Sequence, residues 1–140
     1  MKIVFNASVL FSAFRSSKGG SRKLLTLLKK KQLQGMISEV ILDETLKHAD
    51  KIPMDRERLK GEIEKYFPKI LPAPEKQHVE GYKNRMLDPG DAHLFATCQE
   101  AKATYLVSLD KHHVLSLNGK IKGIIILSPK QLLEIMRKYS

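Results

Sequence analysis

The stretch Met1–Phe14, MKIVFNASVLFSAF, decides the fold, because one apolar run stops at a polar group before a second apolar run begins. The run at residues 2–5 is short and contains β-branched and aromatic side chains. It predicts a first strand that is buried on both faces and followed by a turn. Asn6 lies at the carboxyl end of this strand. Ligands of open parallel sheets bind outside the carboxyl ends of the strands, so Asn6 is a candidate site residue. The alternative is an Asn that merely ends the strand in a turn.

Strands and helices alternate along the rest of the chain. Further strands are predicted at residues 35–38, 104–109 and 124–127, with a short one around Ile70 and Leu71 between prolines. Helices are predicted to begin at Ser21 and Asp91 and to cover residues 39–49, 54–67, 75–86 and 130–139. This alternation predicts a parallel sheet with helices on both faces and right-handed crossovers.

Length and composition indicate an ordinary globular protein. A chain of 140 residues, 42% hydrophobic and 29% charged, is expected to form a single domain over residues 1–140. No apolar run approaches the roughly 18 residues that span a bilayer, and no secretory signal is evident, so a cytoplasmic location is expected. Cys98, the one cysteine, fits a reducing compartment and a helix core position.

The formal net charge is +10, which predicts attraction to polyanions such as nucleic acid. The alternative is a lysine-rich surface of thermophilic type. Arg15, Lys18 and Arg22 cluster near Asn6 in sequence and are candidate phosphate contacts. Lys29–Lys31 is better explained as the solvated end of a helix, where cations favour the helix dipole.

Three carboxylates are candidates to join Asn6. Glu44 shares a helix face with apolar side chains and therefore needs a partner, either a lysine or a shared metal. Asp91 follows the turn Asp88–Gly90, with a plain N-cap as its alternative role. Asp110 ends the strand at residues 104–109 as Asn6 ends the first. Neighbouring parallel strands would place Asn6 and Asp110 at the same edge, within reach of the other two.

Acids that converge on a basic surface have an economical chemical explanation. Partly desolvated carboxylates repel one another, and a hard cation with oxygen ligands, Mg²⁺ or Mn²⁺, relieves that cost. Such an ion activates an attacking water and neutralises charge on a phosphodiester. The basic surface would hold the backbone of the nucleic acid, and the acids would hold the metal. Histidines with zinc-type spacing and supporting ligands are absent from the sequence.

Four segments together resemble the acidic motifs of the PIN-domain ribonucleases, most closely the VapC-type toxins of prokaryotic toxin-antitoxin modules. They are VFNASVLFSAF, SEVILDETLKH, LDPGDAHLFATCQEA and YLVSLDK, in that order along nearly the whole chain. The resemblance implies a three-layer α/β/α sandwich with a central, mostly parallel five-stranded sheet of order 3-2-1-4-5. It also implies an Mg²⁺- or Mn²⁺-dependent endoribonuclease that acts on RNA, a homodimer and a cognate antitoxin protein.

The resemblance assigns site residues position by position. The implied catalytic and metal-binding residues are Asn6, Glu44, Asp91 and Asp110, with Asp88 as an auxiliary metal ligand at most. The candidate substrate-binding residues are Ser108, Arg15, Lys18 and Arg22. Ser108 resembles a Thr or Ser of the family and could orient a carboxylate or a metal-bound water, or simply be a satisfied strand hydroxyl.

Asn6 departs from the family, which has Asp at this position. Replacing a carboxylate by an amide removes one negative charge, and we expect a loss of at least about 10- to 100-fold in metal affinity or activity. The substitution was either introduced to silence a toxic nuclease or belongs to a naturally weak or inactive member. A second hypothesis is therefore a PIN-like module that binds RNA or protein without cutting. A third, a phosphotransfer receiver, lacks an evident strand-end lysine.

Overall fold

A parallel sheet of four strands forms the centre of the computed structural model, which describes residues 1–139. The strands are β1 (Lys2–Phe5), β2 (Gln34–Met36), β3 (Tyr105–Val107) and β4 (Ile125–Leu127). Their order is β2-β1-β3-β4, and every neighbouring pair is parallel. Helices flank the sheet, which confirms the α/β sandwich predicted from the alternating pattern.

Seven helices surround the sheet in the described part of the chain. They are α1 (Ala7–Arg15), α2 (Gly20–Lys29), α3 (Glu39–Leu46), α4 (Arg56–Tyr66), α5 (Lys76–Lys83), α6 (Ala92–Ala101) and α7 (Pro129–Tyr139). Short 3-10 turns cover Ala49–Lys51, Pro89–Asp91 and Leu115–Leu117. None of the helices in residues 1–139 is long and apolar enough to cross a membrane.

The sheet has four strands where five were expected. The segment around Leu71 makes only an isolated parallel bridge with Ser38, beyond the β2 edge, with backbone hydrogen bonds of 2.9 Å on either side. Pro72 and Pro74 follow at once and have no N–H to continue a ladder. The bridge therefore occupies the place of the outermost strand, and the prolines prevent it from extending.

The first strand lies in the core, as its sequence predicted. Ile3, Val4 and Phe5 are all 0% exposed, because β1 has neighbours on both edges and helices on both faces. In the β1–β3 ladder Phe5 is the register partner of Val107. The polar residues that follow these two strands are thereby brought to the same edge of the sheet.

Some element boundaries differ from the predictions. A helix, α1, begins directly after Asn6 where a turn was expected. The next helix begins at Gly20 with Gly19 as its N-cap, so the predicted Ser21 cap is wrong. The helix predicted at residues 39–49 ends at Leu46. Ser38 does cap α3, since its hydroxyl accepts the Ile41 N–H at 3.3 Å.

Candidate active site

A cavity of about 570 Å³ lies at the carboxyl edge of the sheet. The structure brings four predicted residues together on its lining: Asn6, Glu44, Asp91 and Asp110. They come from the end of β1, the middle of α3, the start of α6 and the segment after β3. The volume lies within the roughly 300–1,000 Å³ range of ligand sites.

Asn6 forms hydrogen bonds with β3 and the residue after it, and its side chain does not bond to its own helix, α1. It occupies the N-cap position of α1, yet its side chain makes no capping hydrogen bond. Its Nδ2 instead donates to the Ser108 hydroxyl at 2.7 Å, and its backbone N–H donates to the Val107 carbonyl at 3.0 Å. Asn6 is 9% exposed, so the amide lies on the floor of the cavity in a fixed position.

Ser108 and His113 fix the neighbouring carboxylate, Asp110. The Ser108 hydroxyl accepts the Asp110 backbone N–H at 3.0 Å, and one oxygen of Asp110 accepts the His113 N–H at 2.9 Å. The other oxygen lies 3.5 Å from His113 Nδ1. Ser108 is 0% exposed, which places its hydroxyl beneath the cavity, where it contacts both Asn6 and Asp110.

Glu44 is held by a histidine that the sequence analysis did not identify. His93 Nε2 lies 2.5 Å from Glu44 Oε1, and their side chains are 10% and 42% exposed. The ring's other nitrogen, Nδ1, is buried and has no hydrogen-bond partner in the described part of the chain. The available signal was a polar ring inside the apolar helix α6, two residues after Asp91.

Asp91 does not act as a side-chain cap. It occupies the N-cap position of α6, but its carboxylate makes no capping hydrogen bond within residues 1–139. Capping in this turn is supplied by Asp88, whose Oδ1 accepts the Gly90 N–H at 2.9 Å. The structure therefore does not support the plain N-cap alternative for Asp91.

The carboxyl of Asp91 lies in an environment that disfavours its charged form. Burial, followed by the nearby charges of the other acids, raises its pKa from an ordinary 3.8 to about 6. Asp88 is the foremost of those charges, ahead of Asp110 and Glu44. The shift indicates that the fold disfavours the charged carboxylate, first because the group is half-buried and second because other acids lie near it.

The donor atoms of this cavity fit a hard divalent cation in their chemistry. Amide and carboxylate oxygens are the ligands that Mg²⁺ and Mn²⁺ prefer, and the raised pKa of Asp91 is the response expected of acids that lack a counter-ion. Within residues 1–139, no group of three or more His, Cys, Asp or Glu side chains is arranged to hold a metal ion as it stands.

The cations beside the cavity are only partly those that the sequence indicated. Arg15 lines it, whereas Lys18 and Arg22 do not. The Arg22 guanidinium donates to the Ala13 carbonyl at 3.3 Å, and the Lys18 side chain is exposed in the loop before α2. Lysines and a histidine that follow Glu44 were missed and also line the cavity: Lys47, His48 and Lys51. Their signal was the segment KHADK at residues 47–51, three residues after the predicted acid.

Comparisons with known proteins bear on the family and the fold of the chain. A family model described as PIN domain matches residues 2–112. The crystal structure of PAE2754 from Pyrobaculum aerophilum is similar over 99% of this chain and 90% of its own, with a TM-score of 0.63 and 20% identity. That likeness supports the fold. The search of curated proteins found no match. The family match covers most of the chain and includes every candidate acid, and the chain therefore belongs to the PIN-domain family.

Proposed function

We propose that the chain is a divalent-metal-dependent endoribonuclease. PIN domains are typically nucleases, and the observation that carries the proposal is the convergence of Glu44, Asp91 and Asp110 on one cavity with Asn6. The raised pKa of Asp91 supports it, because such uncompensated acids favour cation binding. The alternative of a phosphotransfer receiver has no support from the family match.

In this proposal Glu44, Asp91 and Asp110 hold Mg²⁺ or Mn²⁺, with Asn6 as a weakened fourth ligand. The ion, when bound, lowers the pKa of an attacking water and neutralises charge on the scissile phosphate. His93 positions Glu44 by its 2.5 Å contact. Asp88 lies beside Asp91 as an auxiliary charge.

Ser108 is a positioning residue in this scheme. Because Ser108 is fully buried, its hydroxyl contacts Asn6 and Asp110 and is not available to RNA. A hydroxyl can accept or donate, so the 2.7 Å contact suits either an amide or a carboxylate at position 6. Asn6→Asp should therefore fit without disturbing the fold, and it restores the charge that the family has at this position.

RNA cleavage with Mn²⁺ tests the proposal, comparing the parent chain with Asn6→Asp. We expect Asn6→Asp to cut at least about 10-fold faster, and EDTA or the added substitution Asp91→Ala to abolish cutting. Exposed Asp43 on α3 offers a matched control, since Asp43→Ala should leave the rate unchanged. Cleavage that persists in EDTA would contradict the mechanism. Equal rates for the parent and Asn6→Asp would remove position 6 from the site.

A catalytically weak or inactive PIN module that binds RNA or protein is the second candidate. Asn6 favours it, because the amide carries no charge and its N–H donates to Ser108. RNA binding that weakens with salt, without cutting in either the parent or Asn6→Asp, would support this candidate over the nuclease.

The biological setting is proposed from the resemblance to VapC-type toxins. We infer a toxin of a toxin-antitoxin module, acting in the cytoplasm as a homodimer and inhibited by a cognate antitoxin protein. Copurification of a neighbouring gene product that suppresses the cleavage activity would support this setting. Sedimentation of the purified chain as a monomer would contradict the dimer.

A further inference from the structure

One side of the cavity carries aromatic rings and cations that the proposed chemistry does not use. The aromatic pair is Phe11 and His48, whose ring centroids lie 6.0 Å apart at an interplanar angle of 80°. The Arg15 guanidinium lies over Phe11, 5.7 Å from the ring centroid. All of these residues line the same cavity as the candidate acids.

The charges in the cavity are segregated. Arg15, at the end of α1, and Lys47 and Lys51, which follow α3, form what we call the basic rim. The basic rim and His48 are exposed, whereas the candidate acids are half-buried. The exposed cations and the aromatic pair thus share one cavity with acids that are less exposed than the cations. A chain of phosphates can contact the basic rim while one phosphate approaches the acids.

This combination is typical of single-stranded nucleic-acid binding. Positively charged surfaces follow the phosphates, and unpaired bases stack on aromatic rings and on Arg guanidinium planes. A paired base is held in its own duplex stack and cannot use such a surface. Sequence tolerance is also expected, because every base offers a π-face.

We propose that Phe11, His48 and Arg15 form a base-stacking subsite for an unpaired nucleotide next to the scissile phosphate, with Lys47 and Lys51 holding adjacent phosphates. The inference rests on the proposed nuclease function, since it places the substrate relative to the acids. The subsite lies wholly outside the metal-binding set, so its binding is measurable without any metal.

Fluorescence anisotropy in EDTA tests the subsite directly. The probes are a fluorescein-labelled single-stranded RNA of mixed sequence, the same strand in a duplex, and the same backbone with abasic nucleotides. We expect the intact single strand to bind at least about fivefold more tightly than the abasic one, as stacking of a single base predicts. Equal affinity for the intact and abasic strands, or for the duplex, would overturn the proposal.

Phe11→Leu is the decisive variant, because leucine keeps the apolar bulk against the core but removes the π-face. Tyr82 on α5 provides a matched control: Arg85 lies 4.7 Å from its ring centroid, but Tyr82 does not line this cavity. We expect Phe11→Leu to abolish the preference for intact over abasic RNA and Tyr82→Leu to preserve it. The same result in both variants would refute the assignment. His48→Ala, at an exposed position, gives a second test if Phe11→Leu is unstable.

The basic rim is tested through salt dependence. Lys51→Ala should weaken binding of intact and abasic strands alike and reduce the slope of log affinity against log salt by about 0.7, the value for one phosphate contact on a single strand. Lys23→Ala, on α2 beside a different groove, is the control and should leave the slope unchanged. An unchanged slope for Lys51→Ala would remove that residue from the subsite.

Failure of the subsite and failure of the nuclease give different results. If no variant cuts RNA but Phe11→Leu still loses the base-dependent binding, the result supports the stacking subsite and contradicts the nuclease function. If Asn6→Asp cuts single-stranded RNA and Phe11→Leu has no effect on binding, the nuclease stands and the subsite is refuted.

Discussion

Asp91→Asn tests whether the folded chain disfavours the charged form of this carboxyl. The pKa of Asp91 rises from an ordinary 3.8 to about 6, because the carboxyl is half-buried and faces other acids, Asp88 foremost. Ionising it therefore costs more in the folded chain than in the unfolded chain. At about 1.36 kcal/mol per pKa unit, the difference corresponds to about 3 kcal/mol. Solvent screening of a partly exposed group reduces the expected effect to about 1.5 kcal/mol.

Proton linkage fixes the sign of the effect. Between pH 3.8 and about 6 the folded chain binds more protons at Asp91 than the unfolded chain does, so stability falls as pH rises through this window. The neutral amide of Asp91→Asn avoids that loss. We expect the variant and the parent to be almost equally stable at about pH 4. At about pH 7.5 we expect the variant to be more stable by about 1.5 kcal/mol.

Urea denaturation in EDTA at both pH values measures this difference. Asp43→Asn, on the exposed side of α3, controls for the loss of one negative charge anywhere on the surface. A gain that does not change with pH, or an equal gain in Asp43→Asn, would refute the reasoning. So would a variant that is less stable than the parent at the higher pH.

Two further predictions concern position 6 and the packing of β2. Asn6→Asp adds a like charge to the cavity, so we expect it to unfold at lower urea concentration than the parent in EDTA and to regain stability with Mn²⁺, which binds the folded state. No recovery with Mn²⁺ would contradict metal binding there. Gly35→Ala would place a Cβ 2.6 Å from a Leu28 methyl and 2.8 Å from the Phe67 ring, so we expect a loss of about 1–3 kcal/mol, measured as a lower Tm. An unchanged Tm would refute that packing argument.

Short-range pattern was enough to predict the centre of the fold. The buried run at residues 2–5 identified β1, and the parallel arrangement then brought Asn6 and Asp110 to the same edge, as the β1–β3 pairing confirms. The structure also places Glu44 and Asp91 on the same cavity. The placement of Asn6 and Asp110 follows from strand direction, since parallel strands end at the same side of a sheet, whereas Glu44 and Asp91 are placed by α3 and α6.

Contacts between distant segments were not predictable in the same way. His93 lies far from Glu44 along the chain, and no local period indicates that a histidine in an apolar helix meets that carboxylate. The aromatic pair likewise joins α1 to the segment after α3. Helix α1 escaped prediction because its apolar residues follow the strand with only Asn6 between them. The strand predicted around Leu71 forms only an isolated bridge, because the prolines beside it have no N–H to extend the ladder.

The retained acids favour a nuclease over a module that only binds RNA. A pure binding surface gains nothing from carboxylates near phosphates, since they repel the ligand, and the raised pKa of Asp91 shows that ionising this one carboxyl is disfavoured in the folded chain. Functional sites are where such costs are ordinarily tolerated. The chain keeps Glu44, Asp91 and Asp110 around one cavity, and contacts from His93 and from the His113 N–H hold the carboxylates of Glu44 and Asp110. Asn6 therefore weakens the proposed metal-binding set, whose three acids line one cavity.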